Sequence, residues 1–308
     1  MNRPNATKEI IGAFEAANLV GLGERHWVRQ DSEFRIRLVR EPAFARAASV
    51  IVVEFATARR QPLLDAFVEG ADVSPSGLSE IWRDTTQPGA FDSPVYEDFL
   101  RAVREVNRGL RPARRLRILA GDPPIDWSGI FNGRQIRDCA EGRDRFAASV
   151  IERDVLNRDR QALVVYGALH LCRKGPATLV ELVRGGPRAR WFTIVPAEGA
   201  AVSRLIGAPG ASAADPALVS LGDSPVGGLE ANEIFGKDTR QVKLVDGKAV
   251  LGAQLFAPAV KLRDAADACL YFGDSAPEFV PRHGGIAGTD YGREVDRRRA
   301  LLMGLRSD

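Results

Sequence analysis

Residues 18–26 read Asn18-Leu19-Val20-Gly21-Leu22-Gly23-Glu24-Arg25-His26, an apolar run that breaks off in an acid, a cation and an imidazole. An apolar run without alternation is the pattern of a strand covered on both faces, as in a parallel sheet. Four more runs repeat it: residues 50–55 (VIVVEF), 117–120 (RILA), 162–166 (ALVVY) and 191–195 (WFTIV). Between them apolar residues recur at helical spacing over 33–40, 61–69, 96–107, 146–156 and 178–184, as with Phe99, Leu100, Val103 and Val106. This alternation predicts an α/β fold with a mainly parallel central sheet, flanking helices and right-handed crossovers.

Two stretches interrupt the rhythm. Residues 70–95 mix Gly, Pro and Ser, and residues 196–240 are rich in Gly, Ala and Pro, so both are expected as lid-like loops or insertions over the strand ends. Residues 241–244 and 249–251, joined by an Asp246-Gly247 turn, read as a hairpin. A buried strand at 269–272 (CLYF) and a charged terminal helix at 293–305 follow. The expected organisation is one α/β domain over residues 1–308, with insertions at about 70–110 and 196–240.

Composition narrows the function. The chain has 308 residues, is 45% hydrophobic and 27% charged, and carries 43 Lys and Arg against 40 Asp and Glu. Disorder and a dense positive field are excluded, so no nucleic-acid partner is expected. The basic runs at 111–115 and 297–299 lack interleaved aromatics and read as solvated faces. Cys139, Cys172 and Cys269 form no paired motif, which points to reduced thiols. Lys8, Glu9 and Glu15 interrupt the only candidate signal core and no long apolar stretch exists, so a cytoplasmic location without membrane contact is expected.

In an open parallel sheet, ligands gather at the carboxyl ends of the strands. Here those ends carry Glu24 and His26, Glu54, Asp122, and His170. Of the three histidines in the chain, two close a Gly-x-x-His: Gly23 to His26 and Gly167 to His170. Glycine lets the backbone leave the strand sharply, and the turn aims the imidazole over the sheet edge. A carboxylate beside a histidine holds one tautomer, which makes the ring a general base near neutral pH. The same four groups, Glu24, His26, Glu54 and His170, are also an acceptable first set of ligands for a divalent metal, so the cofactor reads as none or a divalent metal ion.

Gly21-x-Gly23 invites a dinucleotide reading, but His26 stands where the third glycine belongs and Glu24 would repel a pyrophosphate. No Gly-x-Ser-x-Gly elbow is present either. Glu54 ends four apolar residues and needs a partner, either in a site or as an ion pair with Arg59 or Arg60. Asp122 can bind substrate or cap the turn into Pro123-Pro124, and His283 falls in a loop outside the sheet pattern.

The set of motifs, in its order, resembles the erythromycin esterase-like, ChaN-like and Tiki superfamily. The likeness rests on Gly23-Glu24-Arg25-His26, Glu54, Asp122 and Gly167-Ala168-Leu169-His170, with support from Glu152-Arg153-Asp154 and from residues 264–272. The Glu24-x-His26 spacing is closer to the non-esterase branches. The resemblance implies a strand-end pocket holding Glu24, His26, Glu54 and His170, and makes Arg153 an anion or carbonyl clamp.

The expected activity is hydrolysis of an ester, lactone or amide of a small molecule, with water as nucleophile. His26 takes the proton, Glu24 or Glu54 orients it, His170 polarises the carbonyl, and Arg153 assists by charge. The alternatives are a haem- or metal-binding protein of the ChaN-like branch, with Tyr166 as a conceivable haem ligand, and a non-catalytic member.

Overall fold

The structure is a computed structural model. It describes residues 5–303 except 176–177, 185–187, 199, 209, 236–241, 246–247, 252–255, 258 and 281–285. Its strands are β1 (Leu19–Glu24), β2 (Val50–Thr57), β3 (Arg117–Asp122), β4 (Ala162–Gly167), β5 (Trp191–Ala197), β6 (Ala217–Ser220), β7 (Val242–Val245), β8 (Lys248–Leu251) and β9 (Ala268–Tyr271). Seven form one sheet in the order β3-β2-β4-β1-β5-β9-β6, parallel except for the antiparallel pair β6 and β9. Every residue of β1, β2 and β4 is buried, which is why their sequences run apolar without alternation.

The pleat sends alternate side chains to two cores. Val20 and Leu22 of β1, with Ile51, Val53 and Phe55 of β2, pack against the helices Arg29–Arg40 and Pro94–Arg108. Leu19, Val50, Val52, Val164 and Tyr166 pack on the other face against the helix Arg143–Asp154. The first insertion is itself helical, Pro75–Arg83 and Pro94–Arg108, each with proline in its first turn where the missing N–H costs nothing. Between those helices, residues 84–93 lie over the carboxyl ends of β2 and β3, since Thr86 bonds Asp122 and Gln87 bonds Glu54.

Some expectations change. Residues 196–240 are not all loop, because β6 adds an antiparallel edge to β9. The hairpin pairs β7 with β8, while its Asp246-Gly247 turn and Gln241 lie outside the described residues. The terminal helix spans Asp290–Leu302. Its Arg297–Arg299 run is not a solvated face, for Arg298 is 7% exposed. The reason is that its guanidinium groups donate to backbone carbonyls of the neighbouring segments: Arg297 bonds the Trp127 and Ile130 carbonyls and Arg298 that of Arg83. Arg114 and Arg115 likewise bond the carbonyls of Ala45 and Glu69. None of the three cysteines is in a disulfide, and Cys172 and Cys269 are buried. Among the described residues no helix is long and apolar enough to cross a membrane.

Gly121 on β3 shows how closely the sheet is packed beside the strand ends. A Cβ there would sit 1.7 Å from the Tyr166 hydroxyl and 2.9 Å from the Val53 carbonyl oxygen. Gly121→Ala is therefore expected to cost about 3 kcal/mol in denaturant unfolding by overpacking. Tyr166→Phe should stay within about 1 kcal/mol of the parent, because the buried hydroxyl has no hydrogen-bond partner among the described residues. A harmless Gly121→Ala would refute this account of the packing.

Candidate active site

Three neighbouring strands, β2, β4 and β1, deliver the main acidic and imidazole groups. Glu24 ends β1 level with Gly167 of β4. It continues the face of Val20 and Leu22, whereas Glu54 continues that of Val50 and Val52, so the two carboxylates leave the sheet on opposite faces. They converge at its edge because Gly167 lies between them without a side chain. A Cβ on Gly167 would stand 3.2 Å from both Glu54 Oε2 and His26 Nε2.

Each imidazole is held at Nδ1 by its own carboxylate. His26 Nδ1 lies 2.9 Å from Glu24 Oε1, and His170 Nδ1 lies 2.6 Å from Asp144 Oδ1. With Nδ1 donating, Nε2 is the basic nitrogen of each neutral ring. Both Nε2 atoms face one carboxylate, His26 at 4.0 Å from Glu54 Oε2 and His170 at 3.6 Å from Glu54 Oε1. The His26 side chain is 31% exposed and that of His170 is 11%, so His26 is the more open to a ligand.

Glu54 is buried, and its charge is satisfied from several sides. The Gly167 amide donates to Oε2 at 2.7 Å and Gln87 Nε2 to Oε1 at 2.8 Å, while Arg143 Nη2 stands 3.7 Å from Oε1. Burial opposes the charge, but His170, His26, Arg143 and the Gly167 amide outweigh it and hold the carboxyl down to about 2. The ion pair with Arg59 or Arg60 does not form, since Arg59 pairs with Asp126 and Arg60 with Asp84 and Glu80.

Glu24 has a buried counterion, Arg35, whose Nη1 donates to Oε2. The guanidinium lies among the rings of Phe55, Tyr96 and Phe99, with centroids 5.7, 5.2 and 5.4 Å away. Burial lowers its pKa to about 10, which leaves it cationic at neutral pH. The Tyr96 hydroxyl also donates to Glu24 Oε1 at 3.3 Å, and the Phe91 ring meets His26 edge-on. Glu24 is thereby fixed as an acceptor for the His26 ring.

Asp122 lies beside the cluster rather than in it. It accepts the Thr86 amide at 2.7 Å and the Thr86 hydroxyl at 2.6 Å, so it anchors the overlying segment and does not cap the Pro123-Pro124 turn. Arg153 is a correction. Its guanidinium pairs with Asp154 and is 63% exposed, ten residues along the helix from Arg143, about 15 Å at 1.5 Å per residue. Arg143 is the arginine beside His170 and Glu54, with Nη2 3.3 Å from His170 Nε2 and 3.7 Å from Glu54 Oε1. A crossover helix runs antiparallel to the strands it joins, so its N-terminus meets the strand carboxyl ends. Of the two Arg-Asp pairs on this helix, 143–144 and 153–154, that rule selects the first, and it also identifies Asp144. Gln87, Thr86 and Tyr96 carried no sequence signal. His283 lies outside the described residues.

A metal does not fit these four groups. Among the described residues no group of three or more His, Cys, Asp or Glu side chains could hold a metal ion. The Arg143 guanidinium already brings positive charge to His170 Nε2 and Glu54 Oε1, where a cation would have to bind. Tyr166 is 1% exposed, so it cannot serve as an axial ligand to a haem bound from the strand ends.

No family model matches the sequence, and no curated protein matches it. Solved structures do. A mutant of the erythromycin esterase EreC in its open conformation aligns with TM-score 0.55 and 14% identity over 88% of this chain and 94% of that one. A protein of Bacillus cereus aligns with TM-score 0.51 and 11% identity over 89% and 92%. The haem-binding ChaN of Campylobacter jejuni aligns with TM-score 0.42 and 14% identity over 62% and 86%. The chain has the α/β fold of the erythromycin esterase-like structures, as its motifs suggest.

Burial gives Asp122 a testable pH signature. Burial raises its pKa to about 7 from an ordinary 3.8, against the lowering effect of Thr86 and Arg143. Between about pH 4 and 7 the native state thus keeps a proton that the unfolded state has lost, and stability falls as pH rises. Asparagine can accept from the Thr86 amide and donate to its hydroxyl at any pH. Asp122→Asn is therefore expected to stabilise the protein at pH 8 by about 2–4 kcal/mol and to change little at pH 4. Calorimetric melting at both pH values checks this, and equal effects at the two would contradict it.

Proposed function

We propose that the protein is a hydrolase that activates water against an ester, lactone or amide of a small molecule. The observation that carries the reading is the placement of two carboxylate-tethered imidazoles with both Nε2 atoms toward Glu54. A water bridging His26 Nε2 and Glu54 Oε2 spans their 4.0 Å separation with hydrogen bonds of ordinary length. His26 removes a proton from this water as its oxygen attacks the substrate carbonyl, and Glu24 stabilises the imidazolium. Arg143, whose Nη2 is oriented by His170 Nε2 at 3.3 Å, faces the developing oxyanion, where a fixed cation acts most strongly. The tetrahedral intermediate then expels the alkoxide or amine, which takes the proton held by His26, giving a carboxylic acid and an alcohol or amine.

The related fold of an erythromycin esterase supports starting with esters, but the reading rests on these residues. The test is turnover on a panel of activated esters, lactones and amides. His26→Ala and Glu54→Gln are expected to lower kcat/KM by about 10² to 10⁴, with His26→Ala melting close to the parent. Arg143→Met should cost about 10² or more, mostly in kcat, whereas Arg153→Ala should leave turnover unchanged. Full activity of His26→Ala, or loss of activity in Arg153→Ala at unchanged stability, would overturn the assignment.

A further inference from the structure

Gln87 and Thr86 reach the site from residues 84–93, a segment with no place in the sheet. On its outer side this segment meets the helix Asp290–Leu302. Arg298 Nη1 donates to the Arg83 carbonyl at 2.9 Å, and its guanidinium packs over the Trp127 ring at 4.5 Å. Glu294 Oε1, 2.7 Å from Arg298 Nε, keeps that buried guanidinium paired. Arg299 Nε donates to the Pro88 carbonyl at 3.2 Å, one residue beyond Gln87. The fit is close enough to require glycine at position 89, where φ is +65° and a Cβ would sit 2.9 Å from Arg299 Nη2 and 3.1 Å from Val295 Cγ1.

We propose that the C-terminal helix is a positioning element of the site, with Arg298 and Arg299 holding the 84–93 segment so that Gln87 bonds Glu54 and Thr86 bonds Asp122. Neither arginine contacts the reacting groups. Their effect passes through the backbone carbonyls of Arg83 and Pro88, on either side of Thr86 and Gln87, while the later part of the segment is held separately by the buried Phe91 ring, by Trp27 Nε1 on the Ala90 carbonyl and by Arg83 Nε on Asp92. The catalytic consequence rests on the hydrolytic reading above, whereas the mechanical link does not.

The test uses Arg299→Met, which keeps the aliphatic stem but cannot donate, and Arg299→Lys, which can. The first measurement needs no substrate: hydrogen exchange at the Thr86 amide, compared with amides in β1 and β4. Arg299→Met is expected to speed Thr86 exchange about tenfold while the strand amides stay unchanged, with Arg299→Lys restoring most of the protection. Thr86 exchange that moves only in step with the strand amides would overturn the proposal. The second measurement is a double-mutant cycle with Gln87→Ala, using the ester that the parent turns over. Arg299→Met should lower kcat/KM about tenfold in the parent and less than twofold in the Gln87→Ala background. Equal falls in both backgrounds would show that the helix does not act through Gln87. If the parent turns over no substrate, the hydrolytic reading fails and the exchange result alone decides the proposal.

Discussion

The site depends on keeping one carboxylate, Glu54, ionised inside the protein. An isolated buried carboxylate is so costly that it would take up a proton instead. Glu54 keeps its charge because the Gly167 amide and the Gln87 side-chain amide donate to it and Arg143 stands beside it, with the two imidazoles adding positive charge once protonated. In the proposed reaction those same partners surround the attacking water. Removing Gln87 or Arg143 changes both the electrostatics of Glu54 and the chemistry proposed beside it, so stability and activity are linked through these two groups.

Gly167 makes the arrangement possible. Glu24 and Glu54 leave the sheet on opposite faces and meet only because the strand between them presents bare backbone. The two Gly-x-x-His motifs therefore differ in purpose. In the second, the glycine is the floor over which His26 and Glu54 approach; in the first, Gly23 packs against the Ile194 carbonyl and Ala168, at 2.9 and 3.0 Å from where its Cβ would lie.

Much of this was legible in the sequence, for physical reasons. Burial on both faces makes β1, β2 and β4 continuous apolar runs, and a charged residue ending such a run has nowhere to go but the strand end. That reasoning selects Glu24, His26, Glu54 and His170, and the structure brings their side chains together, each within 4.0 Å of the next. β6 was missed because a four-residue edge strand is too short and too exposed to stand out within a Gly- and Ala-rich stretch. The arginine beside His170 and Glu54 is Arg143 and not Arg153, a difference hidden in the sequence because local spacing does not say which end of a helix faces the strand carboxyl ends. Gln87 and Thr86 act through tertiary contacts with Glu54 and Asp122, more than 30 residues away in the chain, and nothing in their local sequence marks them.

The account stands or falls on the tautomers that the two carboxylates impose. Nitrogen-15 chemical shifts of the imidazoles, recorded at a pH high enough to leave the rings neutral, measure this directly, and three histidines make the spectrum simple to assign. Protonated Nδ1 with unprotonated Nε2 in both His26 and His170 is the predicted result. A proton on Nε2 of His26 would leave no base toward Glu54 and would contradict the proposed chemistry.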